Sequence, residues 1–148
     1  MSDTTVGLQV NNRNARSQVP MKVAAASKIL SGTFTVVNKA TGGLEVYKTS
    51  TLTNRYYAGF AAESVDNSAG LIGEKLAAVF VDGEFECAFS GTFTQASVGL
   101  PAYAKDNHTC LAGAYSTNRL RAGTVSQYIS STLGMVRIDN HTLTGATI

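Results

Sequence analysis

The chain has 148 residues, of which 15% are charged and 44% hydrophobic, and its formal net charge at pH 7 is +2. This length suits one domain with a buried core, and the hydrophobic fraction excludes a wholly disordered chain. The small net charge gives no electrostatic basis for binding nucleic acid. Seventeen Thr, 13 Ser and 14 Gly residues replace the missing charges, a composition that favours strands joined by turns over a helical bundle.

Residues 1–21 predict an extended N-terminal arm that lies outside the core. Val6, Leu8 and Val10 alternate with small or polar residues, a pattern typical of a short strand with one apolar face. The following stretch, 11–18, is as polar as a linker. The arm has too few large apolar groups for a core of its own, so we expect it to add a strand to a neighbouring subunit or to another partner.

Positive charge is concentrated in this arm and at its root. Residues 1–28 hold four basic side chains and one acidic side chain, whereas the remaining 120 residues hold eight basic and nine acidic side chains. Two interpretations remain open: a solvated tail, and a basic arm that docks on an acidic surface. In the second interpretation, Arg13 and Arg16 pair with carboxylates of the partner.

The first half of the β-rich body, residues 22–139, predicts several short strands separated by turns. Glycine pairs, polar clusters and alternating apolar residues mark their bounds. The predicted elements are a strand or short turn at 23–30, strands at 32–38, 44–48 and 56–62, a turn at 38–43, a polar loop at 49–54 and a turn-rich region at 63–73.

The clearest local pattern is a hairpin centred on Asp82-Gly83. Residues 75–81 and 84–89 alternate on either side of this pair. An Asp-Gly pair between alternating runs predicts a type I′ turn, in which both central residues have positive φ. We therefore assign Asp82 and Gly83 to a structural turn.

The second half of the body predicts one helical turn and two further strand pairs. Thr94 is placed to cap a single turn that stops at Gly99. A hairpin is predicted around Asp106-Asn107, and the last two strands are predicted at 122–129 and 135–138; residues 140–148 are a polar C-terminal tail. The predicted fold is all-β: a small β-sandwich or partly open β-barrel with one or two short helical turns.

Two carboxylates in this body form a pair that could do acid–base work on a glycoside. Glu84 and Glu86 are two residues apart and therefore share one face of a strand. The other face carries Phe85, Cys87 and Phe89, which is typical of a core. We therefore expect the carboxylates to face solvent and keep the surface charged.

The two cysteines, Cys87 and Cys110, lack the spacing of a zinc site. We expect both to be buried free thiols, with a disulfide as the alternative. His108 and Cys110 are two apart, and a histidine beside a cysteine can generate a thiolate nucleophile. His108 also follows a predicted turn, where polar residues are expected without any catalytic role. We identify no cofactor or metal motif in the sequence.

The absence of a basic stretch followed by an apolar core predicts that the chain carries no secretory signal and is made in the cytoplasm. The longest strongly apolar run, Leu76 to Val81, has six residues, whereas a membrane-spanning helix needs about 20. We therefore expect no membrane partner.

The order of motifs along residues 23–138 resembles that of tailed-phage capsid cement proteins, also called head decoration proteins. A small-residue strand leads into Glu-x-Val-Asp-Asn-Ser and a glycine-rich turn, and a strand–turn–strand with Gly-x-Phe follows. The matching segments are Tyr57–Gly70, Gly83–Phe85, Thr94–Gly99, Tyr103–Thr109, Ala122–Val125 and Val136–Ile138. The polar arm is longer than the usual start of these proteins.

The resemblance implies a structural virion protein without enzymatic activity. Such a protein is made in the host cytoplasm, binds the major capsid protein on the outside of the assembled head and stabilises the shell, typically as a homotrimer. Two alternatives remain: a small receptor- or glycan-binding module of a phage tail or baseplate, and a hydrolase that uses Glu84 and Glu86 or His108 and Cys110.

Overall fold

The structure, a computed structural model, describes residues 3–7, 12–13, 17–48, 53–113 and 119–138. Within these ranges the chain forms short strands and one 3₁₀ turn, Gln95–Ser97, so the all-β prediction is confirmed. The strands are β1 (Asn12–Arg13), β2 (Gln18–Lys22), β3 (Ser27–Ile29), β4 (Phe34–Asn38), β5 (Leu44–Val46), β6 (Arg55–Ala61), β7 (Val65–Asn67), β8 (Leu76–Phe80), β9 (Gly83–Phe89), β10 (Pro101–Ala104), β11 (Thr109–Ala112), β12 (Arg121–Ser130) and β13 (Leu133–Ile138).

Five strands close into a small barrel in the order β9-β11-β10-β12-β13, with β13 pairing back to β9. β9 and β11 run parallel, and the other pairs are antiparallel. The side chains of Phe85, Cys87 and Phe89 on β9 are buried, while those of Glu84 and Glu86 are half-buried. The barrel is closed, so its strands leave fewer open edges than the partly open barrel named among the expectations.

A second sheet, in the order β2-β8-β6-β4-β5, packs against the barrel on one face and against the two-stranded ribbon β3–β7 on the other. The contact with the barrel is aromatic: the rings of Phe60 on β6 and Phe85 on β9 are stacked with centroids 4.6 Å apart, and Phe34 lies 4.9 Å from Phe60. Such ring pairs add about 0.5–1.5 kcal/mol each to the free energy gained by burying apolar area. The two sheets therefore share one continuous core.

A glycine bulge shifts the alternation of side chains along β6, so that residues three apart point to the same face of this sheet. The register between β4 and β6 shifts next to Gly59, whose φ is +139°. Because of the shift, Tyr57 and Phe60 pack towards the barrel, whereas Ala58 and Ala61 pack towards the ribbon. A Cβ atom at Gly59 would lie 2.1 Å from the Phe80 carbonyl oxygen, so only glycine fits here.

The predicted hairpin around Asp82-Gly83 is wrong. β8 belongs to the five-stranded sheet and β9 to the barrel, so the pair lies where the chain crosses between them. Gly83 has the expected positive φ, +109°, but the described residues with positive φ do not include Asp82. Asp82 instead accepts a hydrogen bond from the Ser17 amide at 2.9 Å. Alternation identified both strands, but nonlocal packing chose their partners.

The predicted boundary between arm and body, between residues 21 and 22, falls inside the strand β2. β2 pairs with β8 along its whole length, with Val19 opposite Val79 and Met21 opposite Ala77. β8 would otherwise leave one side of its backbone unpaired. Pro20 lacks a backbone N–H and lies on this edge strand, as is usual for proline in sheets.

Most other local predictions for the described residues hold, with two exceptions. The predicted turn-rich region 63–73 contains the strand β7, which pairs with β3, and Val6 lies in a bend where a strand was predicted. β4 and β5 form an antiparallel pair around the glycine turn, and β10–β11 and β12–β13 pair as expected. Thr94 caps the 3₁₀ turn: its side chain accepts a hydrogen bond from Ala96 N, and Ser97 completes a capping box. The predicted C-terminal tail, residues 140–148, lies outside the described residues.

Candidate binding surface

The two candidate catalytic carboxylates lie away from the barrel core, but both are half-buried instead of facing solvent as predicted, and the Glu84 side chain is only 12% exposed. Glu84 forms an ion pair with Arg137 on the neighbouring strand β13, and Ser126 Oγ donates to its second oxygen at 3.4 Å. Arg137 lies directly opposite Glu84 in the strand register. The arginine therefore neutralises one of the two carboxylates that an acid–base pair would need.

The cysteines are buried free thiols, as predicted, and their sulfur atoms are 3.4 Å apart. Burial, followed by the neighbouring Cys87, raises the pKa of the Cys110 thiol well above its ordinary value. His108 Nδ1 lies 2.9 Å from Asn107 Oδ1 and 3.2 Å from Asp106 Oδ1. Burial and the neighbouring Cys87 therefore keep the Cys110 thiol protonated, whereas a nucleophilic cysteine must be a thiolate.

Across the described residues, no group of three or more His, Cys, Asp or Glu side chains is placed to hold a metal ion. No helix formed by these residues is long and apolar enough to cross a membrane.

The predicted arm residues are only partly visible. Leu8, Val10 and Arg16 lie outside the described residues. Val6 is 65% exposed and sits in a bend, in which Thr4 Oγ1 donates to Val6 O at 3.0 Å. Arg13 lies on β1, opposite Glu84 of β9 in the strand register. The described arm segments therefore lie against the chain's own body, and docking on a partner stays a prediction.

Asn107 holds the first described residues of the arm in place. Its side-chain Oδ1 accepts a hydrogen bond from Thr4 N at 2.9 Å, and its Nδ2 donates to Thr4 O at 3.1 Å. Its backbone N–H donates to Asp3 Oδ1 at 3.0 Å. One asparagine thus binds both peptide groups of Thr4 and the neighbouring carboxylate, as a strand partner would.

The position of Asn107 is fixed by the β10–β11 hairpin and by the second sheet. Asp106 Oδ1 accepts hydrogen bonds from His108 N at 3.1 Å and Thr109 N at 2.8 Å, which shape the tip of the hairpin. Phe34 N donates to Asn107 O at 2.8 Å. The Asn107 side chain, in a residue only 2% exposed, is therefore preorganised to bind the arm.

A polar cleft of about 610 Å³ lies beside this contact. Thr4 and Asn107 contribute to one part of its lining, and charged side chains of the body contribute to the rest. Arg55 Nε donates to Glu45 Oε1 at 2.8 Å there. Lys28 and Lys48 also line the cleft. Side chains of positive and of negative charge therefore line the cleft, which suits the binding of a small polar ligand.

Residues 71–76, here called the apolar segment, expose three large apolar side chains within six consecutive residues. Leu71 is 69% exposed, Leu76 is 54% exposed and Ile72 is 41% exposed. Glu74 and Lys75 lie between them in the sequence. Exposed apolar side chains that lie close together in the sequence, with charged residues beside them, are typical of protein-binding surfaces.

Backbone and side-chain hydrogen bonds hold the apolar segment against the body. Gly73 N donates to Val23 O at 3.1 Å, and Val23 N donates to Lys75 O at 3.0 Å. Asn67, within the Glu-x-Val-Asp-Asn-Ser motif, donates from Nδ2 to Leu71 O and to Ala24 O, each at 3.0 Å. The segment is therefore displayed in a fixed conformation, which lowers the entropy cost of binding.

Sequence reasoning missed both of these features. The apolar segment covers the end of the predicted turn-rich region and the start of a predicted strand. The sequence pattern does not show that its three large apolar side chains are exposed to solvent. Asn107 was placed correctly in a turn, but its partner Thr4 is 103 residues away. The Asp-Asn-Ser motif is the one local signal, because Asn67 ties the apolar segment to the body.

Comparison with models of known protein families and with curated protein sequences finds no match for this chain. The resemblance to capsid cement proteins, inferred from the ordered motifs of residues 23–138, therefore stays a prediction.

Proposed function

We propose that this protein binds the outer surface of an assembled phage capsid and stabilises the head, as a non-enzymatic cement protein. The observation that carries the proposal is the apolar segment. It directly follows the Tyr57–Gly70 stretch, in which the resemblance to cement proteins is most detailed. Leu71, Ile72 and Leu76 are the side chains that contact the major capsid protein.

The apolar segment suits attachment to a large protein surface better than binding of a small molecule. Its side chains are presented outwards, and burying one of them yields about 1.5–3 kcal/mol. Lys22 lies next to it, with its side-chain carbons 3.2 Å and more from the position of a Cβ on Gly73. Charged groups at the rim favour a defined orientation and discourage self-association.

We further propose that the protein acts on the shell as a homotrimer. One apolar segment provides a small contact, and a threefold arrangement lets three such contacts act together. Occupancy of the shell then depends on avidity rather than on tight binding by each copy. The protein would reside on the outside of the virion.

Heads that lack this protein provide the test. The parent chain, Ile72→Ser and Ile129→Ser are each mixed with purified heads and sedimented, and the bound fraction is measured against concentration. Ile129 is the matched control, because its exposed fraction, 41%, equals that of Ile72 and it lies on β12 rather than in the apolar segment. We expect Ile72→Ser to weaken binding by at least ~10-fold, since burial of one isoleucine is worth more than a factor of ten, and Ile129→Ser to bind like the parent.

Two results would contradict the proposal. Absence of the parent chain from sedimented heads would remove the cement role itself. Equal loss of binding by both variants would show that the apolar segment is not the contact. Thermal melts of the three proteins, which should agree closely, separate a binding defect from an unfolded variant.

The polar cleft favours a second candidate function, a receptor- or glycan-binding module of a phage tail or baseplate. Arg55, Glu45 and Lys28 offer donors and acceptors to a polar ligand. Binding of a glycan by the parent chain, lost in Arg55→Ala, would favour this module. Association with tails rather than heads would also favour it.

A further inference from the structure

We propose that residues 3–7, here called the N-terminal segment, are exchanged between neighbouring copies on the capsid. Asn107 of one copy then binds Asp3 and Thr4 of the next copy, in place of its own. This inference rests on the proposed cement function, which holds several copies side by side. The occupant of the Asn107 site is a second copy of this chain.

The site recognises the N-terminal segment through a small and specific set of bonds. Asn107 makes two side-chain hydrogen bonds to the peptide groups of Thr4 and one backbone hydrogen bond to Asp3. The hairpin tip and Phe34 hold the backbone of Asn107 without help from the segment. The same bonds form whether the segment comes from the same chain or from a neighbour.

The segment itself is held by little else that the structure shows. Four of its five residues are exposed, and Thr4 alone is half-buried. Gly7 rests on the side-chain oxygens of Ser31 and Ser64. Exposed segments with few apolar contacts detach at low free-energy cost, whereas β2 pairs with β8 over five residues and stays in place.

The chain length allows the exchange. Asn12 on β1 lies eight residue steps after Thr4, and a fully extended chain spans up to about 3.3–3.6 Å per residue. The segment can therefore reach about 26–29 Å from β1, well beyond the radius of gyration of about 15 Å expected for a domain of this size. The exchange requires that the Asn107 of a neighbouring copy lies within that distance of β1.

Mass action decides where the exchange occurs. In dilute solution the segment's own Asn107 is the nearest site, so the bonds form within one chain. On a shell, neighbouring sites are present at a comparable local concentration, and swapping identical segments has little net energy cost. The exchanged segments tie neighbouring copies together, which reinforces a layer that must stabilise the head.

Two single-cysteine replacements test the exchange without altering the Asn107 site. A Cβ on Gly7 would lie 2.6 Å from Ser64 Oγ, so Gly7→Cys and Ser64→Cys place two sulfur atoms within bonding reach. Full-length Gly7→Cys chains and Ser64→Cys chains are mixed, loaded on heads and oxidised with diamide. The native thiols are buried, and each variant loaded alone controls for other pairings.

We expect disulfide-linked dimers of the two variants on heads and at least ~10-fold fewer at the same total amount in dilute solution, as the effective-concentration argument requires. Adding Thr4→Pro to the Gly7→Cys chain removes the N–H that Asn107 Oδ1 accepts, and should abolish most of the dimers. One chain carrying both replacements should form an internal disulfide, which verifies the geometry.

Each negative result has a distinct meaning. Heads decorated with the mixture but free of mixed dimers overturn the exchange and leave the cement function standing. Heads that do not bind the parent chain overturn the cement function, and the exchange with it. Mixed dimers that survive Thr4→Pro overturn the role of Asn107.

Discussion

Replacing Gly59 by alanine tests the reasoning that links the glycine bulge to the two-sided packing of β6. Its φ of +139° lies in a region that glycine alone adopts readily, and an L-residue held there costs about 1–3 kcal/mol. The new Cβ would also lie 2.1 Å from the Phe80 carbonyl oxygen. β6 must then move away from β8, which weakens the pairs Phe60–Phe80 and Ala61–Val79 at about 1 kcal/mol per hydrogen bond.

The expected loss in the free energy of unfolding is therefore about 3–5 kcal/mol for Gly59→Ala. Gly42→Ala is the matched control: φ at Gly42 is +76°, and no atom lies within 4 Å of the added Cβ. That change should cost only about 1–2 kcal/mol, the penalty of the backbone conformation alone.

Urea-induced unfolding, followed by far-ultraviolet circular dichroism, measures both values. If Gly59→Ala fails to fold while Gly42→Ala folds, the order of the two effects is as expected. Equal losses for the two variants would refute the reasoning, because the close approach of β8 accounts for most of the difference between the two estimates.

Three further outcomes are expected. Gly83→Val should lower the free energy of unfolding by more than about 1 kcal/mol, because valine is strained at a φ of +109°; a melting temperature equal to that of the parent would contradict this backbone strain. Burial raises the pKa of Tyr47 to about 12, whereas tyrosine in the unfolded chain ionises near pH 10 or so. The folded state thus favours neutral Tyr47, so its contribution to stability is retained below about pH 10 and lost as pH rises towards about 12; urea melts across this window should show a steeper loss for the parent than for Tyr47→Phe, and parallel losses would argue against a buried hydroxyl. Iodoacetamide should alkylate Cys110 only slowly in the folded protein and rapidly in urea, as read by mass spectrometry; fast labelling of folded protein would contradict its raised pKa.

Local patterns predicted the strands well but predicted their partners unevenly. Alternation around Asp82-Gly83 identified β8 and β9, and the positive φ of Gly83 followed from the same dipeptide. The strands nevertheless belong to different sheets, because β9 pairs with β13 and β11, whose residues lie far along the chain. Short-range turn chemistry carries no information about such pairing.

The candidate surface was less accessible to sequence reasoning than the fold. Ile72 and Ile129 are both isoleucines with equal exposed fractions, yet only Ile72 belongs to a concentrated apolar segment. Asn107 was recognised as a turn residue, since Asp-Asn pairs are typical of turns. Its second role depends on Thr4, and no single sequence shows that these residues meet.

The closure of the barrel on β9 also constrains how the protein is made. β9 leaves the ribosome before its barrel partners β11 and β13, and Gly83 pairs with Ile138 near the end of the described residues. Until then, β9 exposes its backbone groups and the aromatic face that carries Phe85 and Phe89, an arrangement prone to aggregation. The barrel can close only after synthesis of β13. Proteins whose strands pair over such long sequence separations fold slowly, in about milliseconds to seconds. Production of the protein in quantity should therefore depend on chaperones that shield β9 while the chain is being completed.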